Sequence, residues 1–243
     1  MKKIGVLLIV CLMCAVAQAV VVDDFSGDLS AYTKTRLLDN GAAELNVSFT
    51  NASGDLRVLY TSPTGLNQAE QVAFLRSDCS LGIGEIVRVD TINLDTTGGH
   101  LELGLMVAAT ATPTELTRTN YVTMNLRNQT TDRLASQYAS TAGYQNNTQI
   151  DKDFSLVSGL YIKRIDADTF ETGWYDLLGV ENIIRTVDAD STTIGTVIGF
   201  YADMRSVTPG MHGAIDNLRI IPEPATLTLL GLGASLVLRR RKR

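Results

Sequence analysis

A period of two runs through most of this chain. From residue 44 it repeatedly sets an apolar residue beside a polar one: Glu44-Leu45-Asn46-Val47-Ser48-Phe49, Leu56-Arg57-Val58-Leu59-Tyr60, Glu85-Ile86-Val87-Arg88-Val89-Asp90-Thr91-Ile92, and Tyr121-Val122-Thr123-Met124-Asn125-Leu126-Arg127. Successive side chains of an extended strand point to opposite faces, so such runs fold as strands with one buried face. Turn formers separate them: Asn51-Ala52-Ser53-Gly54-Asp55, Gly82 and Gly84, and Gly98-Gly99 ahead of the run His100–Ala108. Residues 159–166 and 169–175 read as a hairpin about Asp166-Ala167-Asp168, and 193–204 and 213–221 as the closing strands. Helical periodicity is weak. Residues 67–75 read as one short helix or a loop, and the polar stretch 137–149, with Asn146 and Asn147, as a long exposed loop. Many short strands with frequent turns predict an all-β sandwich or barrel.

Both ends depart from this pattern. Lys2 and Lys3 precede an apolar run, 4–16, and Ala17-Gln18-Ala19 forms a small-x-small site, so 1–19 reads as a signal helix cleaved before Val20. Neither Cys11 nor Cys14 follows Gly, Ala or Ser, which excludes the usual lipoprotein signal. At the other end, Pro222-Glu223-Pro224 leads into an apolar run, 225–238, and then Arg239, Arg240, Arg241, Lys242 and Arg243. About 14 helical residues reach ~21 Å, short of a hydrocarbon core of ~30 Å. The basic cluster holds its end cytoplasmic and leaves the body outside.

The Pro222-Glu223-Pro224 triplet, the short apolar helix and Arg239-Arg240-Arg241 resemble the PEP-CTERM sorting signal of Gram-negative-type bacteria. The resemblance implies three parts: signal peptide 1–19, a body at 20–221 and a sorting signal at 222–243. It implies signal peptidase, the general secretion machinery and an exosortase as partners. The protein would be held transiently in the inner membrane by its C-terminal helix, then cleaved near the triplet. It would end at the cell envelope, the cell surface or the extracellular matrix, released or covalently attached, often among exopolysaccharide.

The ends hide the charge of the body. Of 21 Lys+Arg and 26 Asp+Glu, seven basic residues and Glu223 lie in the ends, so 14 basic and 25 acidic residues leave 20–221 at −11. That balance excludes nucleic acid and anionic lipid as partners of the body. Cys79 is the only cysteine outside the signal peptide, either a buried thiol or one that pairs between molecules.

The opening Val21-Val22-Asp23-Asp24-Phe25-Ser26-Gly27-Asp28-Leu29 and the ending Ala214-Ile215-Asp216-Asn217-Leu218-Arg219-Ile220 are similar to the first and last strands of concanavalin-A-like (laminin-G-like) jelly rolls. Gly159-Leu160-Tyr161-Ile162-Lys163-Arg164 and Gly173-Trp174-Tyr175 resemble their central hairpin. The implied fold is a two-sheet antiparallel jelly-roll sandwich with paired terminal strands; a galactose-binding-like sandwich is the alternative.

Few side chains propose chemistry. Asp24 and Asp216 sit where terminal strands would meet, and Asp216 shares strand parity with Ala214, Leu218 and Ile220, which aims it inward. An inward carboxylate wants a cation or donors, so the two are candidates for structural calcium, against turn caps and backbone hydrogen bonds. Trp174 or Tyr175, together with Tyr138 and Tyr144, are candidates for a glycan platform, against an ordinary core role for the lone tryptophan. Glu102 and Glu171 read as isolated outward acids, and His100 and His212 as turn residues. The Glu-x-Asp-x-x-Glu signature of jelly-roll glucanases is missing. The expectation is a non-catalytic, glycan-associated surface protein. A purely structural or adhesive matrix protein is the first alternative, and a glycoside hydrolase or lyase the second.

Overall fold

The computed structural model describes residues 19–39, 47–52, 54–60, 69–94, 100–112, 119–140, 143–205 and 212–222. The signal helix and the C-terminal apolar helix, with Ala17, Glu223, Pro224, Arg239, Arg240 and Arg241, lie outside them. Fifteen strands follow in order: β1 (Val20–Asp23), β2 (Tyr32–Asp39), β3 (Val47–Ala52), β4 (Asp55–Tyr60), β5 (Ala69–Arg76), β6 (Ile86–Leu94), β7 (His100–Ala108), β8 (Tyr121–Asn128), β9 (Asp132–Ser140), β10 (Gly143–Asp151), β11 (Val157–Arg164), β12 (Thr169–Asp176), β13 (Glu181–Asp188), β14 (Val197–Arg205) and β15 (His212–Ile221). A 3-10 turn, Phe154–Leu156, precedes β11.

The strands form two antiparallel sheets. Sheet A runs β13-β12-β11-β6-β15-β4-β3, and sheet B runs β10-β9-β8-β7-β14-β5-β2. The terminal strands pair: β1 lies on β15 through Val20↔Ile220, beyond the stretch of β15 that β4 occupies. The hairpin anticipated at 159–175 is β11–β12, with Leu160 opposite Trp174.

One core fills the space between the sheets. Sheet A contributes Val87, Val89, Leu160, Ile162 and Phe170, and sheet B contributes Leu103, Leu105, Val107, Phe200 and Met204. At one side Phe49, Phe74 and Tyr32 stack in series, with ring centroids 4.3 and 4.6 Å apart. Cys79 is a half-buried free thiol packed against this core, and desolvation pushes its pKa up to about 12.

Three expectations fail. Of the 67–75 stretch, 67 and 68 lie outside the described residues and 69–75 belong to β5, an inner strand between β2 and β14, where neighbouring strands override the weak local pattern. The described residues of the polar 137–149 stretch, 137–140 and 143–149, are not a loop but lie on the antiparallel pair β9–β10. Its polar groups bond across the sheet and sandwich: Arg133 Nη1 donates to Gln149 at 3.2 Å, Arg185 Nη1 to Thr148 at 3.1 Å, and Thr172 Oγ1 to Ser136 at 2.8 Å. Asp216 does not point inward. Asn217 adopts φ 54°, and a bulge between Asp216 and Arg219 resets the phase of β15. Ile215 and Leu218 therefore enter the core while Asp216 stays on the other face, half-buried.

Candidate functional site

Strands β7 and β14 lie side by side in the middle of sheet B and are buried on both faces. Leu101, Leu103, Leu105 and Val107 point between the sheets. Period two then sends His100, Glu102, Gly104, Met106 and Ala108 to the outer face of sheet B. On β14 the same logic places Tyr201, Asp203 and Arg205 there. Register sets Glu102 opposite Asp203 on one side and opposite Arg127 of β8 on the other.

The result is a row of polar side chains across five strands, β5, β7, β8, β9 and β14. Glu102 Oε1 lies 2.8 Å from His100 Nε2 and 2.9 Å from Arg127 Nη1. Its Oε2 accepts from Gln137 Nε2 at 2.8 Å and Asn125 Nδ2 at 3.3 Å. Asp203 Oδ2 accepts from Arg205 Nη2 at 2.7 Å, Gln71 Nε2 at 2.8 Å and the Tyr201 hydroxyl at 3.4 Å, and Oδ1 accepts from Arg205 Nε at 3.0 Å. Glu102 and Asp203 have no exposed surface. Burial, then the charges of Asp203 and Glu102, pushes the Tyr201 phenol far above its usual range. A carboxylate offers about four lone-pair directions, so donors from this chain fill both acids. Two buried atoms of the row stay unpaired: Asn125 Oδ1 and Arg127 Nε.

His100, Glu102 and Asp203 form the one group of three metal-ligating residue types among the described residues, each offering an atom within 4.8 Å of the others. The group does not fit calcium. Arg127 and Arg205 already neutralise the two acids, and calcium seeks six to eight oxygens. Asp24 and Asp216 belong to no such group. Asp24 is exposed and accepts from Ser26 Oγ at 2.7 Å and Ser26 N at 3.1 Å, which holds its pKa below the usual value. Asp216 accepts from the Asn217 amide at 2.6 Å and from Asn217 Nδ2 at 2.7 Å.

The anticipated glycan platform does not assemble. Trp174 and Tyr175 point to opposite faces as expected, but both faces are covered, leaving them 7% and 5% exposed. Trp174 enters the core with Lys152 Nζ 4.1 Å from its ring centroid. Tyr175 packs against Tyr161 at 5.2 Å and beneath the Arg88 guanidinium at 4.1 Å. Tyr138 is half-buried below Arg185. The Tyr144 side chain lies outside the described residues. Glu102 does point away from the core, but it is neither isolated nor solvated, and His100 is no turn residue: both are buried strand residues that bond each other. Of the sorting and cleavage residues, Ala19 and Val20 are exposed and Pro222 is half-buried directly after β15.

Arg127, Asn125, Gln137, Gln71, Asp203 and Arg205 escaped the sequence reading. A signal was present. The outer-face positions of β7 and its neighbours include Met106, Ala108, Val197, Ala73 and Leu75, so these strands are apolar on both sides, the mark of a sheet covered on both faces. An acid within such a strand is buried and must be paired.

This is a concanavalin-A-like jelly-roll sandwich. Similar solved structures include a laminarinase from Flavobacterium sp. UMI-01 (11% identity, 84% of this chain and 100% of that chain covered, TM-score 0.55). A β-glucanase from Bacillus licheniformis (14%, 84% and 97%, 0.51) and a family 16 endo-glucanase from Bacteroides ovatus (11%, 82% and 98%, 0.50) are also similar. A search of curated protein sequences finds no match. The family model of the PEP-CTERM protein-sorting motif matches residues 221–243. The chain is thus an exported, envelope-associated protein with an exosortase sorting signal on a jelly-roll body.

Proposed function

We propose that this protein binds extracellular polysaccharide without cleaving it, and that the outer face of sheet B is where it does so. Before processing, the C-terminal run tethers it with the basic tail on the cytoplasmic side. The observation that carries the reading is the unpaired couple Asn125 Oδ1, an acceptor, and Arg127 Nε, a donor. Asn125 has no exposed surface, so binding requires the cover of this face to open; each unpaired buried polar atom costs about 1–3 kcal/mol, which a polar ligand admitted there would relieve. The two residues sit on one face of β8 about 6.7 Å apart along the strand, a span suited to the several hydroxyls of a sugar ring. The filled lone pairs of Glu102 and Asp203 support the non-catalytic part, since a general acid or nucleophile needs a free oxygen at the bond it attacks.

Affinity electrophoresis of the exported protein in gels cast with β-glucans or galactans tests this. Retardation should fall at least about tenfold in Asn125→Ala, with the far-UV dichroism unchanged. Retardation that survives would remove the site, and none in any polysaccharide would leave the structural matrix reading. One observation favours a second reading. Glu102 and Asp203 bring carboxylate oxygens within 4.8 Å, near the ~5–5.5 Å separation of a retaining glycosidase. Reducing ends released by the unaltered protein and abolished by both Glu102→Gln and Asp203→Asn would establish it.

A further inference from the structure

Among the described residues five strands have a single neighbour: β13 and β3 end sheet A, β10 and β2 end sheet B, and β1, only four residues long and broken by a register shift, lies on β15 alone. An edge strand offers unpaired backbone to any extended partner, and proteins blunt it with charge, proline or a covering segment. β2 carries Lys34, Arg36 and Asp39, and β13 carries Glu181, Arg185 and Asp188. β3 is neutral, but Lys34 Nζ caps its Val47 carbonyl at 3.1 Å and Asn51 Nδ2 ties it to the Gly27 carbonyl.

β10 has none of these guards along its length. It reads Gly143-Tyr144-Gln145-Asn146-Asn147-Thr148-Gln149-Ile150-Asp151, without Lys, Arg or Pro. Its one charge, Asp151, is at the end and is paired with Arg133 of β9 at 3.0 Å. Among the described residues no strand but β9 pairs with it. A bulge between Tyr144 and Asn146 interrupts its start, and 146–151 then run in unbroken register. The window 144–150 is uncharged, rich in Asn and Gln, and free of Gly and Pro, the composition of segments that stack strand on strand through amide ladders.

From this we infer that β10 is a homotypic docking edge, on which a second copy of the chain lays its own β10 so that sheet B continues across two molecules. Self-pairing suits this strand in particular. An antiparallel pair centred on Thr148 sets Asn147 opposite Gln149 and Asn146 opposite Ile150. It also keeps the two Asp151 carboxylates about 20 Å apart, so no like charges meet. The inference is independent of the glycan reading.

Sedimentation of the full chain at constant detergent tests it. The unaltered chain should form dimers or longer assemblies as its concentration rises from micromolar toward millimolar. Ile150 is 37% exposed, and Ile150→Lys, which places a charge on the edge, should weaken association at least about tenfold. Ile183→Lys, on the opposing edge β13, should leave it unchanged. Hydrogen exchange on the unaltered chain gives an answer should Ile150→Lys fail to fold: amides of 146–151 should gain protection with concentration. A chain monomeric throughout, association that persists in Ile150→Lys, or protection gained only elsewhere would overturn the inference.

Discussion

Sheets A and B each turn a polar face away from the shared core, and carboxylates lie on both. On sheet A they keep contact with water. Asp90 holds Arg219 at 2.7 Å and Arg88 at 3.2 Å with its side chain 27% exposed. Glu171 and Glu181 accept from the Tyr161 and Tyr175 hydroxyls at 3.0 and 2.9 Å. Burial, reinforced by those carboxylates, pushes both phenols well above their usual range. On sheet B, Glu102 and Asp203 have no exposure, and the chain itself supplies their donors: two arginines, a histidine, a tyrosine and three amides. Where water finishes a carboxylate's coordination, sequence is free to vary. Where it does not, residues from β5, β7, β8, β9 and β14 are bound to one another.

The sharpest way to break this contrast is to remove one acid from each face. Glu102→Leu strands Arg127 and His100 in a buried site, and loss of one member of a buried pair costs about 3–5 kcal/mol. Glu171→Leu removes a partly solvated partner, worth about 0–1 kcal/mol. Urea unfolding of the two variants beside the parent measures both. Equal losses would mean that the row on sheet B is not the buried hub its hydrogen bonds describe.

A glycine on each face sharpens the contrast further. A Cβ on Gly104 would stand 2.1 Å from the Met124 carbonyl and 2.8 Å from Asn125 Oδ1. One on Gly173 would stand 2.3 Å from the Asn182 carbonyl and 2.6 Å from the Tyr161 ring. Backbone must shift in both, so Gly104→Ala and Gly173→Ala should each cost about 1–3 kcal/mol. Only Gly104→Ala disturbs Asn125, so only it should also reduce retardation in polysaccharide gels. A matched loss in Gly173→Ala would show that binding follows global stability rather than the row.

The alternation along β4, β6, β8 and β11 revealed sheets and inner faces because Val, Leu and Ile at every second position leave one arrangement. It failed at β9–β10, where Ser, Gln, Asn and Thr fill positions on both faces, and Gln149 is met by Arg133 within the hairpin while Thr148 and Ser136 are met by Arg185 and Thr172 from sheet A. The same limit hid the site. Glu102 meets Gln137 from 35 positions away, and Asp203 meets Gln71 across 132. Such partners are set by strand order, which no local window contains. The misjudged direction of Asp216 has a smaller cause, since a single residue in the left-handed region at Asn217 reverses every parity assignment beyond it.

That bulge allows a last and smallest test, confined to sheet A. Desolvation, opposed by the Asn217 amide and aided by Asp55 and Asp90, holds the Asp216 carboxyl above its ordinary pKa. The folded state therefore binds this proton more tightly than the unfolded chain. Its contribution to stability is fully present below the unfolded value of about 3.9 and is lost as pH rises through the folded value. Asp78 opposes it: its hydrogen bond with Arg76 lowers its pKa, so that contribution is present above the unfolded value and lost as pH falls. Asp216→Asn also forfeits an acceptor for Asn217, so the informative quantity is the slope with pH rather than the absolute melting temperature. From about pH 4 to 6 the variant should gain on the parent as pH rises. Parallel curves would mean that water reaches this face of β15 more freely than its half-burial implies, which would widen the difference between the two sheets.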